Sequence, residues 1–413
     1  MSVPLLRPFA ALRPAPDRAA EVAAPPYDVL SSEEAREQAD GKPWSFLHIS
    51  KAEIDLPDGT DPYDPRVYAM AAENLGKMIT AGVLRRDAKP CYSVYRLTMG
   101  EHVQTGLVGG GSVAAYDINR IRKHEFTRPD KEDDRVRQID VTNAQTGPVL
   151  LAHHQHPDLA AATAAAVATA PAYAVTAADG IRHEIWVIED DATIARITAA
   201  FESMPAIYIA DGHHRSAAAS RVAGMRRQST ADARGDESYE SFLVVTFPIN
   251  EMKIFDYNRV VRDLNGLSRE AFLSALDEDF TVEAASSQVR PTAPRQIGLY
   301  LPGQWYRLTV KNAAPADPVA RLDVSLLTDR LLDPILGIKD LRKDKRVDFV
   351  GGKRGLGELE KRVDSGEMAA AFAMFATTME DLVAVADAGQ VMPPKSTWFE
   401  PKLADGLVSY PLG

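Results

Sequence analysis

The chain has 413 residues, 45% apolar and 25% charged, with a formal net charge of −11. That mixture belongs to a globular protein with a sizeable core and excludes a disordered or fibrous one, and the length allows two or three domains. The acidic balance disfavours nucleic acid as a partner, and the lone Cys91 excludes an internal disulfide and a cysteine-held zinc.

The opening, MSVPLLRPFAALRPAPDRAAEVAAPPYDV, breaks each apolar run with proline or arginine, so neither a signal-peptide core nor a membrane span is expected. The expected location is the cytoplasm. Ser31 stands three residues before Glu34, the spacing of a helix start at which hydroxyl and carboxylate each satisfy an orphan backbone N–H. SFLHIS (45–50) reads as a short strand, and RVYAMAAENLGKMITAGVL as a helix ending at Gly82. Residues 91–116 alternate apolar and polar around MGEH, predicting a hairpin.

The charged stretch RIRKHEFTRPDKEDDR has no period and is assigned to a loop. Further along, DLAAATAAAVATA predicts a helix, HEIWVIED a strand, TIARITAAFES a helix, and AIYIADGHHRSAAASRVA a strand, a tight turn and a helix of small residues. The polar run RRQSTADARGDESYES predicts a mobile loop and a domain boundary near residue 235.

SFLVVTFPI follows as a strand, LSREAFLSAL as a helix, RQIGLYLPGQWYRLTV as a hairpin, DVSLLTDRLLDPIL as a helix and AAAFAMFA as a strand. Thr378 with Asp381 opens a last helix that Gly389 closes, and the proline-rich finish reads as extended. Strands and helices alternate throughout, so the expected class is α/β or mixed α+β, with domains 1–235 and 236–413.

Chemistry concentrates in YIADGHHR, Tyr208 to Arg215. A strand that enters a helix through a glycine turn leaves backbone N–H groups unpaired at the positive end of the helix dipole, where phosphates bind. Gly212 allows a ligand close to the backbone, His213 and His214 lie in the first turn, and Arg215 offers a forked donor suited to phosphate oxygens. The plainer reading makes Asp211 a helix cap accepting from the N–H of His213 or His214.

IADGHHRSAAA resembles the signature turn of the ParB/sulfiredoxin superfamily, which binds nucleotide phosphates. RPFAALRP, APPYDV, HEFT with DDR, YIADGHHR and MPPKSTWFEPKL, spread over nearly the whole chain, resemble the DUF1015 family, linked to the free-serine kinases of that superfamily. The resemblance implies a nucleotide-binding core with an inserted hairpin and charged loop, followed by a C-terminal α/β domain that contributes a segment covering the site. It also implies ATP or ADP as phosphoryl donor, Mg2+, and free L-serine as acceptor, giving O-phosphoserine. Gly212, His213, His214 and Arg215 then lie at the phosphates, with Asp211 beside the acceptor hydroxyl or the metal. His213 stands where sulfiredoxins carry their catalytic cysteine, which removes the sulfur chemistry. A ParB-like DNA-associated protein or nuclease is the alternative, and the acidic charge weighs against it.

Three other segments are drawn in. HEFTRPDKEDDR offers His124 and Glu125 for acid–base work and Asp134 for magnesium, or is simply a solvated charged loop. MPPKSTWFEPKL offers Lys395, Ser396, Thr397 and Lys402 as substrate donors, unless Trp398 and Phe399 merely fasten the chain. In PPYDV, Tyr27 and Asp28 either line the site or direct the chain into the next helix. GGKRGLGE lacks the order of a phosphate loop, and the spacing of His153, His154 and His156 does not suit a helical zinc pair. The acceptor's identity, the choice of ATP or ADP, and self-association stay open.

Overall fold

The computed structural model describes residues 4–232 and 234–413. The fold is mixed α+β and forms two compact units. One runs to Met252 and resumes over Pro401–Gly413; the other is Lys253–Glu400. No helix among the described residues is long and apolar enough to cross a membrane.

Among the described residues, the first unit is built on a nine-stranded sheet. Its strands are β1 (Leu6–Arg7), β2 (Tyr92–Met99), β3 (His102–Ser112), β4 (Ile121–Arg122), β5 (Val149–His153), β6 (Tyr173–Thr176), β7 (Arg182–Ile188), β8 (Ile207–Asp211) and β9 (Ser241–Pro248). They stand in the order β4-β8-β5-β9-β3-β2-β7-β6, with β1 beside β3. β8 is parallel to β4 and β9 to β5, while the remaining pairs are antiparallel. The expected hairpin is β2–β3, closing with Met99 opposite His102. Glycines in β3 admit close neighbours: a Cβ at Gly106 would meet the Thr246 carbonyl oxygen at 2.6 Å.

The helices of this unit include α1 (Pro65–Thr80), α2 (Pro129–Thr142), α3 (Pro157–Val167), α4 (Asp191–Glu202) and α5 (His213–Ser229). α2 packs between α1 and α5. The reciprocal Ser31/Glu34 cap opens the helix Ser32–Ala39. Where β8 meets β5 the register slips, pairing Ile209 with Leu151 and then Asp211 with Leu150, so Ala210 is an extra residue. Such a bulge re-aims the side chains that follow it, and here Asp211 is the next.

Three expectations are corrected. SFLHIS contains a helical turn, Leu47–Ser50, rather than a strand, because a short buried apolar run has no period that separates the two. The charged stretch becomes α2 from Pro129 onward; proline suits a first helical position, and the apolar face is only Val136 and Ile139, too thin to show as a period. The compact units divide at Met252 rather than near 235, because β9 is an inner strand of the first sheet, between β5 and β3. In the run expected as a mobile loop, α5 continues to Ser229, and Ala233 lies outside the described residues.

The second unit carries a six-stranded antiparallel sheet of β10 (Tyr257–Val261), β11 (Phe280–Ala285), β12 (Gln296–Leu301), β13 (Gln304–Val310), β14 (Val347–Gly351) and β15 (Ala370–Met374), ordered β11-β13-β12-β15-β10-β14. Its helices include α6 (Arg269–Leu276), α7 (Leu356–Asp364) and α8 (Met379–Asp387). α8 opens with the expected Thr378/Asp381 reciprocal cap.

The segment Pro401–Gly413 belongs to the first unit. The Ala24 N–H donates to the Asp405 carbonyl at 3.1 Å, the Asp405 N–H returns to the Ala24 carbonyl at 2.9 Å, and Tyr410–Pro411 pairs with Ala144–Gln145. Gly406 has φ 86°, and a Cβ there would meet Phe46 at 2.7 Å, so only glycine fits this turn.

Candidate functional site

The site grows from the end of β8. Gly212, at φ 99° and ψ 27°, takes the left-handed conformation that glycine adopts without strain, and α5 starts immediately after it. No side chain caps that start, because the cap position is Gly212 itself. The carboxylate of Asp211 does something else: it accepts from the Arg215 guanidinium at 3.2 Å and lies 3.7 Å from the Lys402 ammonium. Burial raises the Asp211 pKa, but Lys402 and Arg215 together outweigh it and hold the carboxyl well below the usual range.

Arg215 is 9% exposed. Its guanidinium folds back against Gly212, pairs with Asp211 and donates to the Pro148 carbonyl, so it is not the open fork expected from the sequence. Asp405 stands on the same side: a Cβ on Gly147 would meet the Asp405 Oδ1 at 3.4 Å and the Arg215 Cδ at 3.3 Å. Burial pushes the Asp405 carboxyl up to about 7, against the pull of Arg215 and with help from the nearby Asp28. Asp28 and Tyr27 also favour the charged form of Arg215, so both lie within electrostatic reach of it. Arg135 lies over the Tyr27 ring, 3.9 Å from its centre.

The opposite face of the same helical turn is different. His213 is buried; its ring meets that of His124 edge to face at 4.5 Å, its Nε2 accepts a long bond, 3.4 Å, from the His124 main-chain N–H, and its Nδ1 lies 3.8 Å from the Glu125 carboxylate. Burial lowers the pKa of His124 to about 4, and burial together with the neighbouring His124 holds that of His213 well below the ordinary imidazole value. Glu125 and His213 line an open cleft of about 390 Å³, whose walls include Lys123, Thr127, Ser220 and Arg221. His213, Ala217, Ser220 and Arg221 recur at helical spacing, so one face of α5 forms that wall.

Other expected residues fall elsewhere. The His214 Nε2 accepts from the Arg128 N–H at 3.1 Å, fixing the start of α2. Asp134 is buried and accepts from the Tyr68 hydroxyl at 2.9 Å and from Arg135 at 2.7 Å, so both oxygens face protein groups. Lys395, Ser396 and Thr397 belong to the second unit, where the Ser396 hydroxyl donates to the Pro393 carbonyl and the Lys395 carbonyl accepts from Arg259. Sequence reasoning missed Asp405, Lys123 and Arg221. ADG (404–406) was the available sign of the first, an acid before a turn glycine.

A mixed α+β protein with an anion-compatible helix start and a two-sided cluster of acids, histidines and cations is thus defined. The model of the family described as "Protein of unknown function (DUF1015)" matches residues 6–325, and the chain belongs to that family. No curated protein matches the sequence. Solved structures with similarity include a conserved hypothetical protein from Pyrococcus furiosus, 13% identical with a TM-score of 0.34, over 73% of this chain and 93% of that one. A free serine kinase in complex with AMP is 12% identical with a TM-score of 0.33, over 71% and 86%. SbnI with a C-terminal truncation, from Staphylococcus aureus, is 11% identical with a TM-score of 0.37, over 72% and 85%.

Proposed function

We propose that this chain is a nucleotide-dependent phosphotransferase whose acceptor is the hydroxyl of a small amino acid, free L-serine first among them. The observation that carries the reading is the uncapped start of α5 behind left-handed Gly212, with Arg215 and Lys402 both drawn to Asp211. Backbone N–H groups at such a start, with two cations beside them, form an anion cradle whose paired counter-charge is the Asp211 carboxylate. A nucleotide's phosphates compete for the same cations. Asp211, about a third exposed and held ionised, then orients the acceptor hydroxyl.

The bond that forms joins the serine oxygen to the transferred phosphorus; the bond that breaks joins that phosphorus to the bridging oxygen of ATP or ADP. Serine's proton passes to a carboxylate of the cluster. Asp405, raised to about 7, matches that task better than the strongly acidic Asp211. Asp211 is the carboxylate at the turn that would hold Mg2+, which would supply neutralisation of phosphate charge there.

The test incubates purified protein with serine, Mg2+ and either nucleotide and looks for O-phosphoserine by mass spectrometry. Product with one nucleotide supports the reading. Nucleotide binding without phosphoserine removes serine as acceptor, and absence of nucleotide binding removes the kinase reading altogether.

A further inference from the structure

We propose that His124, His213 and Glu125 form a binding site for a divalent transition-metal ion at the wall of the cleft. One donor atom from each residue lies within 4.8 Å of the other two. The residues come from two segments that β4 and β8 bring side by side: Ile207 pairs with Ile121 and Tyr208 with Arg122, which sets His124 against the turn that carries His213. Two imidazoles and one carboxylate suit zinc, cobalt, manganese or iron(II), whereas magnesium prefers oxygen ligands alone.

A second observation points the same way. His124 is 2% exposed, and neither of its ring nitrogens makes a hydrogen bond of normal geometry. The Ile209 main chain favours the protonated ring without completing such a bond. Buried imidazoles without partners are rare, because leaving a polar group unpaired forfeits its hydration, and each one asks what satisfies it. A water molecule needs two or more polar partners, and at this point the neighbouring donors are themselves metal-ligand types.

The geometry needs only a small adjustment. Donors about 2.1 Å from one ion stand about 3.4 Å apart at tetrahedral angles, so the widest separation in the cluster, at most 4.8 Å, must contract by no more than about 1.4 Å. Glu125, with 47% of its side chain exposed, is on the solvent side of the cluster. In the metal-free arrangement the contact at His213 Nε2 leaves the ring proton on Nδ1; an ion at Nδ1 selects the other tautomer at the expense of that long 3.4 Å contact. Three protein ligands leave coordination positions open, and Glu125 and His213 line the cleft beside Lys123 and Arg221, so an anionic ligand can reach the ion from that side.

The inference stands apart from the phosphotransfer reading, and its test uses no nucleotide. Metal-stripped full-length protein is titrated with Co2+ and followed by its visible d–d absorption, with Zn2+ as competitor and excess Mg2+ as control. One equivalent is expected to bind, Zn2+ to displace it and Mg2+ to leave it in place. Glu125→Gln, a change at the exposed ligand that leaves the fold intact, is expected to weaken binding at least about tenfold, and His124→Ala to abolish the spectrum. A His154→Ala/His156→Ala double variant is expected to titrate like the parent. Failure of the parent to bind one equivalent, or Glu125→Gln and His124→Ala titrating like the parent, would overturn the proposal, as would loss of the signal in the double variant.

Discussion

Two buried arginines, one in each unit, are held in opposite ways. Arg259 on β10 is 0% exposed, donates to the carbonyls of Tyr257 and Lys395, and lies over the Phe349 ring at 5.4 Å. No carboxylate pairs with it among the described residues, and burial lowers its pKa to about 10. Arg215 is buried too, yet Asp211, Asp28 and Asp405 overcome that cost and raise its pKa. Carbonyls fix a side chain without charge to exchange, so Arg259 braces its sheet. Carboxylates can give way to phosphate, and that is what makes Arg215 a candidate for binding.

The contrast can be broken by substitution. Arg215→Ala is expected to reduce phosphoryl transfer by roughly a hundredfold to a thousandfold, about 3–4 kcal/mol of transition-state stabilisation, in a steady-state assay. An unchanged rate per folded molecule would place Arg215 with Arg259 as a purely structural cation.

Asp405 sharpens the comparison through pH. Its folded pKa, about 7, lies above the ordinary 3.8, so between pH 4 and pH 7 the unfolded chain releases a proton that the folded chain keeps. Stability therefore falls as pH rises across that window and is flat above it. Asp405→Asn is expected to match the parent near pH 4 and to exceed it by a few kcal/mol at pH 8, read from denaturant midpoints. An equal pH slope in both proteins would mean that Asp405 is ionised throughout.

Smaller effects follow. Arg259→Met keeps the volume and removes a buried charge that lacks an acid partner, so stability is expected to change by no more than about 1.5 kcal/mol, in either direction, with any phosphotransfer rate intact. Ser31→Ala and Thr378→Ala remove the same reciprocal cap from a helix in each unit, and each is expected to cost about 1 kcal/mol by denaturant melts.

Much of this was legible where the signal is local. Both reciprocal caps follow from a hydroxyl and an acid three residues apart, the β2–β3 hairpin from alternation about a glycine turn, and the strand, turn and helix at Ile207–Ser229 from an apolar run broken by Asp211 and Gly212. Where burial comes from distant chain, the reading was harder. α2 hides its narrow apolar face among acids, and the turn at Leu47–Ser50 buries Leu47, Ile49 and Ser50 in a run too short to show a period. Tyr27 and Asp28, singled out in PPYDV, lie within electrostatic reach of Arg215, whereas Asp405 and the open wall of the cleft depend on pairings across the sheet and on a return of the chain that no local pattern encodes.

That return has a consequence for how the molecule is made. Lys402 and Asp405 leave the ribosome only after the 148 residues from Lys253 to Glu400, which at ordinary synthesis rates takes roughly seven to thirty seconds. During that interval the nascent first unit holds Arg215 and Asp211 without their later companions, so a chaperone that binds half-finished chains has a defined period in which to act.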